Sequence, residues 1–402
     1  SNLKSSKERY SMSNKRAKKG AVPVTVLTGF LGSGKTTLLN HILQDKSHGM
    51  KFAVIENELG EIGIDQKILS ENVNEEVIEV MNGCICCKVR GDLVDALKRL
   101  YGKVETFDGV IIETTGLADP APVVQTFFAE TNDGEEELEN MYKLDSIITV
   151  TDAKYILQRL DEEKPDDVDN EAEQQVCFAD KIILNKIDLV SKEGDLEKIE
   201  ERLRSINPTA PILRCQHSQI SPDELLKVGA FDLERVLEFD PFFLGEFKKP
   251  KHDKAVSSLS AKVEGEVNLA LIESWMEHLM EHETMTLYRY KGIIAIKGSD
   301  EKFVFQGVGH MFNGNFKGNW KDDEKRISSF VFIGKNLELD LLKNGFEACR
   351  AAKELRFPVG TKIEANTDDE NYVKGTILEH WVDGNVYLIE LHDGEKVVAP
   401  VD

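Results

Sequence analysis

The chain has 402 residues, and its 50 Lys and Arg against 72 Asp and Glu give a formal net charge of −22. At about 100–200 residues per domain, that length predicts two or three domains, and the acidic balance argues against nucleic acid as a partner. No run approaches the ~18 apolar residues of a membrane-spanning helix, which excludes integral membrane association of that kind. Six cysteines are too few for a disulfide scaffold, and three of them sit within four residues, which points to metal or thiol chemistry in a reducing compartment.

In chain order, residues 1–20 are polar and basic, with Lys4, Lys7, Arg9, Lys15, Arg16, Lys18 and Lys19 against Glu8. That composition predicts a disordered tail. The cytoplasm is the expected compartment, with an organellar or nuclear address left open by the basic tail. A β-rich run at residues 22–27 then leads into Gly29-Phe30-Leu31-Gly32-Ser33-Gly34-Lys35-Thr36-Thr37, followed by helical spacing of Leu38, Leu39, Ile42 and Leu43. Strand, glycine loop and helix in this order make a P-loop. Gly29, Gly32, Ser33, Gly34 and Thr37 would wrap phosphate with backbone N–H groups at a helix N-terminus. Lys35 would reach the β- and γ-phosphates, and the Thr36 hydroxyl would ligate Mg²⁺.

An acidic segment, residues 55–65, follows the next strand, in the position of a nucleotide-sensing switch. After it comes Gly83-Cys84-Ile85-Cys86-Cys87. Three thiolates at this spacing are soft donors suited to zinc, but a structural zinc site closes with four ligands. Cys84, Cys86 and Cys87 therefore look one ligand short, which favours uptake and release over a permanent staple. Glu56 and Glu61 are candidates to complete the shell, and a solvated acidic loop is the alternative for each. A redox thiol group and inert packing remain the other readings of the cysteines. Cys177, Cys215 and Cys349 stand alone on apolar stretches and read as core.

Residues 107–113 form a buried-strand pattern ending in Glu113, followed by Thr114-Thr115-Gly116. Glu113 sits where such proteins place the Mg²⁺-holding acid, and Gly116 can offer its N–H to a γ-phosphate. Asn185-Lys186-Ile187-Asp188 ends a later strand. A carboxylate at Asp188 pairs with the two donors of guanine, which adenine lacks, so GTP and GDP are favoured. His217 and Ser218 are candidates for the second guanine loop. The acidic runs at 133–139 and 161–173 read as solvated insertions.

The second half predicts an α+β unit of four strands and two helices: strands at 256–263, 287–296, 302–308 and 328–333, and helices at 269–280 and 339–355. His278 and His282, four apart on the first helix, read as a solvated face, and His310 is a weaker candidate for metal or client contact. Strands at 361–364, 372–379, 386–391 and 396–399 then alternate with Asp-Gly turns, the pattern of a small SH3-like or tudor-like barrel. Trp381, Tyr372 and Tyr387 are assigned to its core, with the lining of a ligand groove as the alternative for each.

The glycine loop, the acidic segment at 53–65, Asn82-Gly83-Cys84-Ile85-Cys86-Cys87, and residues 110–128 together resemble the CobW/YjiA-like P-loop GTPases. Their eukaryotic members include zinc-regulated GTPase metalloprotein activators. The resemblance covers residues 21 to about 350. It implies slow GTP hydrolysis coupled to carriage of a transition metal, zinc or alternatively cobalt or nickel, to a client metalloprotein. It assigns metal to Cys84, Cys86 and Cys87 with Glu56 and Glu61 as auxiliaries. A redox- or metal-sensing regulatory GTPase that recruits partners is the competing reading, and homo-oligomerisation is left open. Many members carry a His-rich interdomain loop; here that stretch has only His252, so no metal store is expected there.

The expected fold class is thus α/β, a P-loop NTPase with a mostly parallel, helix-covered sheet. A CobW C-terminal-like α+β domain and a small SH3/tudor-like β-barrel follow. The expected boundaries are 1–20 for the tail, 21–238 for the GTPase domain, 239–254 for a linker, 255–355 for the α+β domain and 356–402 for the barrel.

Overall fold

The computed structural model describes residues 21–56, 77–79, 88–101, 107–116, 120–128, 138–162, 164, 170–230, 256–281, 285–309, 311–321, 323–368 and 371–401. Two compact units account for them, centred on 17–232 and on 259–402.

The first unit is built on a seven-stranded sheet. Its strands are β1 (Val22–Thr28), β2 (Phe52–Glu56), β3 (Val77–Glu79), β4 (Gly109–Glu113), β5 (Tyr142–Asp152), β6 (Lys181–Asn185) and β7 (Ile212–Arg214). They lie in the order β3-β2-β4-β1-β5-β6-β7, and every pairing is parallel. Both faces must then be covered, which is why β1, β4 and β6 read as near-continuous apolar runs. Helices α1 (Lys35–Gln44), α2 (Lys88–Tyr101), α3 (Glu171–Phe178) and α4 (Asp195–Ile206) belong to this unit. Leu38, Leu39 and Ile42 of α1 pack with Leu27, Val54, Ile111, Ile148 and Ile183 of the sheet in one core. The acidic run at 161–173 is not wholly an insertion: its end forms the first turn of α3, where Glu171 and Glu173 complement the helix dipole.

The second unit contains a five-stranded sheet, one strand more than the spacing predicts. Its strands are β8 (Val256–Glu264), β9 (Thr286–Ile294), β10 (Glu301–Val308), β11 (Met311–Asn319) and β12 (Ile327–Lys335), in the order β11-β10-β9-β12-β8. Strand β11 is rich in Asn and Gly and carries little strand propensity of its own. It pairs with β10 because Gly314 leaves room for aromatic rings: a Cβ there would lie 2.8 Å from Phe303 Cζ. Helices α5 (Leu269–Met280) and α6 (Leu339–Ala348) pack on this sheet through Ile272, Met276, Leu342 and Phe346. Helix α6 ends at Ala348, earlier than the expected 355, because the chain turns away to pair Arg350 with Val267 and Ala351 N with Glu266 O.

Strands β13 (Lys362–Asp368), β14 (Asn371–Val382), β15 (Asn385–Leu391) and β16 (Lys396–Ala399) form an antiparallel four-stranded sheet within the same unit. Tyr387 is in its core and Trp381 packs against it, but Tyr372 is 63% exposed, contrary to its assignment to the core. The turn from β14 to β15 has Asp383 and Gly384 both at positive φ, and it rests on the α+β part. A Cβ on Gly384 would be 3.2 Å from Leu269, and one on Gly298 would be 2.1 Å from Trp381 O. Asn268, which caps α5 by accepting from Leu271 N, donates its Nδ2 to Pro400 O at 2.8 Å.

Candidate functional site

The carboxyl ends of β1, β4, β5 and β6 meet at one edge of the parallel sheet, where loops with chemical groups collect. Gly29 leaves β1 at φ 138°, a conformation L side chains rarely adopt, and a Cβ there would lie 2.1 Å from Val150 O. Gly34, at φ 109°, precedes α1, and a Cβ on it would lie 2.4 Å from Asn185 Nδ2. The glycines are therefore required by close approach as well as by dihedral. Gly32 also has positive φ but faces open space.

Lys35 is buried and donates to Gly29 O at 2.7 Å and Phe30 O at 3.4 Å, so its ammonium lies inside the loop. Thr36 donates its hydroxyl to Glu113 Oε1 at 2.8 Å, joining the first turn of α1 to the tip of β4. Thr37 is exposed on the same turn. The Ser33 hydroxyl is buried with no hydrogen-bond partner among the described residues, a cost tolerable where a ligand supplies the partner. Thr36 and Glu113 offer two adjacent hard oxygens, the donor chemistry Mg²⁺ takes. Gly116 lies against the P-loop so closely that a Cβ would be 2.4 Å from Leu31 N.

The loop from Asn185 to Asp188 is tied to the glycine loop. The Asn185 carboxamide makes four hydrogen bonds: Nδ2 donates to Ser33 O (3.0 Å) and Ser218 Oγ (2.9 Å), and Oδ1 accepts from Ser218 N (2.9 Å) and the Cys215 thiol (3.4 Å). Ser218 donates on to Gly34 O at 3.1 Å. Lys186, in the left-handed region at φ 61°, donates to Gly32 O at 2.6 Å and to buried Asp152 at 2.8 Å. Asp188 is left exposed beside this network, with its carboxylate available.

Of the two guanine-loop candidates, Ser218 is buried in the network while His217 is exposed. Asp152 and Cys215 belong to the network and were not assigned to it from the sequence. Cys215 is buried as expected of core, and that burial pushes its thiol up to about 11. Cys177 and Cys349 are also buried.

Cys84, Cys86, Cys87 and Glu61 lie outside the described residues, as do His252, His282 and His310, and His278 is exposed. Glu56 is the last residue of β2, where its backbone pairs in register with Glu79 of β3 on one side and Glu113 of β4 on the other. Three glutamates thus end three adjacent strands at the nucleotide edge, and in sequence Cys84 follows Glu79 by five residues. Among the described residues no helix is long and apolar enough to cross a membrane.

The family model for the CobW/HypB/UreG nucleotide-binding domain matches residues 23–214, and that for the cobalamin synthesis protein cobW C-terminal domain matches residues 256–350. The chain is similar to the zinc chaperone YjiA of Escherichia coli (strain K12), 36% identical over 334 residues that cover 82% of this chain and 99% of that protein. It is also similar to zinc-regulated GTPase metalloprotein activator 1 of Dictyostelium discoideum, 39% identical over 56% of this chain and 52% of that protein. Among solved structures, Zn(II)-bound YjiA GTPase from E. coli matches with a TM-score of 0.61 at 31% identity, over 83% of this chain and 100% of the other. A Zn(II)-bound YjiA variant, with one glutamate and two cysteines replaced by alanine, matches with a TM-score of 0.62 at the same identity and coverage.

Proposed function

The chain belongs to the CobW family of nucleotide-binding GTPases, and from that premise we propose that it binds zinc through Cys84, Cys86 and Cys87 and passes it to a client metalloprotein under control of GTP. The observation that carries this reading is the shared sheet edge. The backbone of Glu56 is in register with Glu113, whose carboxylate accepts the Thr36 hydroxyl, and with Glu79, five residues before the first cysteine of the cluster. Glu113 and the strand that precedes the cysteines in sequence therefore end level with Glu56, one on either side of it.

In this mechanism Lys35 and the loop N–H groups bind the phosphates, Asp188 pairs with the guanine donors, and Lys186 covers the base. Thr36, with Glu113 behind it, would hold Mg²⁺, which would supply positive charge to the phosphates. The Gly116 N–H faces the γ-phosphate. The segment after β2, which carries Glu61, responds to that phosphate, and with Glu56 it completes or opens the zinc shell. Reciprocity requires zinc to change GTP affinity by the factor that GTP changes zinc affinity.

The test is competition of the chain with a chromophoric chelator for Zn²⁺, in the nucleotide-free, GDP and GTP-analogue forms, repeated for Cys86→Ser. Because a YjiA variant lacking one glutamate and two cysteines is still Zn(II)-bound, the readout is the affinity of the tightest site and not total zinc content. A difference of about tenfold or more between nucleotide forms, abolished by Cys86→Ser, is expected. Equal affinity in all three forms would refute the coupling.

A further inference from the structure

The hydrolytic loop of this chain has a support that lies far from it in sequence. Helix α3 has eight residues, too few to be stable alone, so its position is set by what grips it. Its N-terminus is capped by Asn170, which accepts from Ala172 N and Glu173 N. Its C-terminus is held by the Asn207 carboxamide, which donates to the carbonyls of Val176, Cys177 and Ala179 at 2.9, 3.3 and 2.8 Å. Between them, Thr149 of β5 donates to Gln175 O at 2.6 Å.

A helix fixed at three points presents Gln175, which is 1% exposed, to the catalytic edge. Its Nε2 donates to Gly116 O at 3.3 Å. Burying a carboxamide costs free energy unless it is bonded, so an apolar residue would serve the packing of α3 better. What the carboxamide adds is a hold on a glycine, the residue whose backbone is least restrained by its own structure. The other side of Gly116 is closed by Leu31 N of the P-loop. The neighbouring Thr115 hydroxyl is buried with no hydrogen-bond partner among the described residues, so it does not anchor the loop there.

We infer that Gln175 is a positioning residue for GTP hydrolysis: it holds the Gly116 carbonyl so that this glycine, trapped between α3 and Leu31, keeps its N–H toward the γ-phosphate. GDP has no γ-phosphate and is indifferent to this alignment. The inference rests on the GTPase reading of the site, and it makes α3, outside every nucleotide motif, part of the hydrolytic apparatus.

The experiment compares the parent chain with Gln175→Met, which keeps the volume but has no donor, and Gln175→Glu, which turns oxygens toward the Gly116 carbonyl. Single-turnover GTP hydrolysis is measured beside the affinities for GDP and for a non-hydrolysable GTP analogue. Both variants should hydrolyse GTP about ten- to a hundredfold more slowly, and should lose affinity for the analogue while binding GDP within about twofold of the parent. Hydrolysis at the parental rate, or equal loss of GDP and analogue affinity, would overturn the inference by making Gln175 a packing residue. So would loss of GDP binding in both variants. Absence of GTP turnover in the parent would refute the GTPase reading itself, and the ratio of analogue to GDP affinity would still report whether Gln175 aligns Gly116.

Discussion

Asn185 and Ser33, 152 residues apart, are joined by a hydrogen bond of 3.0 Å from the Asn185 Nδ2 to the Ser33 carbonyl. The loop proposed to read guanine is thereby bonded to the P-loop, and Ser218 closes the triangle through Gly34 O. The two loops share one buried polar network, in which losing a member removes bonds from its neighbours.

Ser218→Ala removes one hydroxyl and strands a donor on Asn185, while Gly34 O keeps its bond from Leu38 N at 2.9 Å. A loss of about 1–3 kcal/mol in stability of the first unit is expected. GTP and GDP affinities should fall together, since both need the same base loop. Thermal unfolding and fluorescent-nucleotide titration check this, and a fall in GTP affinity alone would contradict it.

Gly29→Ala and Gly32→Ala separate dihedral strain from steric overlap. Both positions have positive φ, but only Gly29 would drive a Cβ onto Val150 O. Gly32→Ala should cost about 1–2 kcal/mol and leave a folded protein. Gly29→Ala adds a backbone clash to that strain and should unfold the first unit, or shift β1 against β5, at temperatures where the Gly32 variant is intact. Circular dichroism melts of the two variants decide.

The Cys215 thiol, pushed by burial from about 9 to about 11, gives a pH dependence with a definite sign. Between those values the folded state keeps a proton that the unfolded state releases, so ν_N exceeds ν_U and stability falls as pH rises. The contribution is full below about pH 9 and is lost toward pH 11. Cys215→Ala should lose less stability than the parent across that interval, in urea titrations at matched pH. Parallel curves for the two proteins would contradict the buried-thiol account.

Gly298→Ala tests the seat of the terminal barrel. Gly298 has φ 78°, and a Cβ would meet Trp381 O at 2.1 Å, so the β14–β15 turn must lift away. Proteolysis or hydrogen exchange within residues 357–401 should rise, with GTP hydrolysis unchanged. Unchanged protection of the barrel would show that the turn tolerates the methyl group.

Legibility in the sequence followed how local the physics was. The P-loop and Asn185-Lys186-Ile187-Asp188 were readable because phosphate and guanine each demand a short run of particular groups. The parallel sheet was readable because strands buried on both faces must be apolar along their length. Strand β11 was not, since Gly314 matters only against the Phe303 and Phe312 rings, which a Cβ would meet at 2.8 and 3.0 Å. Gln175 and Asp152 gave no signal because their partners lie tens of residues away. A signal that could have been read was a repetition: Val54-Ile55-Glu56, Val77-Ile78-Glu79 and Ile111-Ile112-Glu113. The register of β2, β3 and β4 brings these three endings level.

The resting place of Asp383 and Gly384 bears on recruitment. A module on a flexible tether offers its surface at an effective concentration set by tether length, and pays ordering entropy each time it engages. With Gly384 on Leu269, Trp381 against Gly298 and Pro400 bonded to Asn268, the barrel of this chain has no such tether to the α+β sheet. Its exposed Tyr372 is therefore carried on a sheet whose position is set by those three contacts with the α+β part.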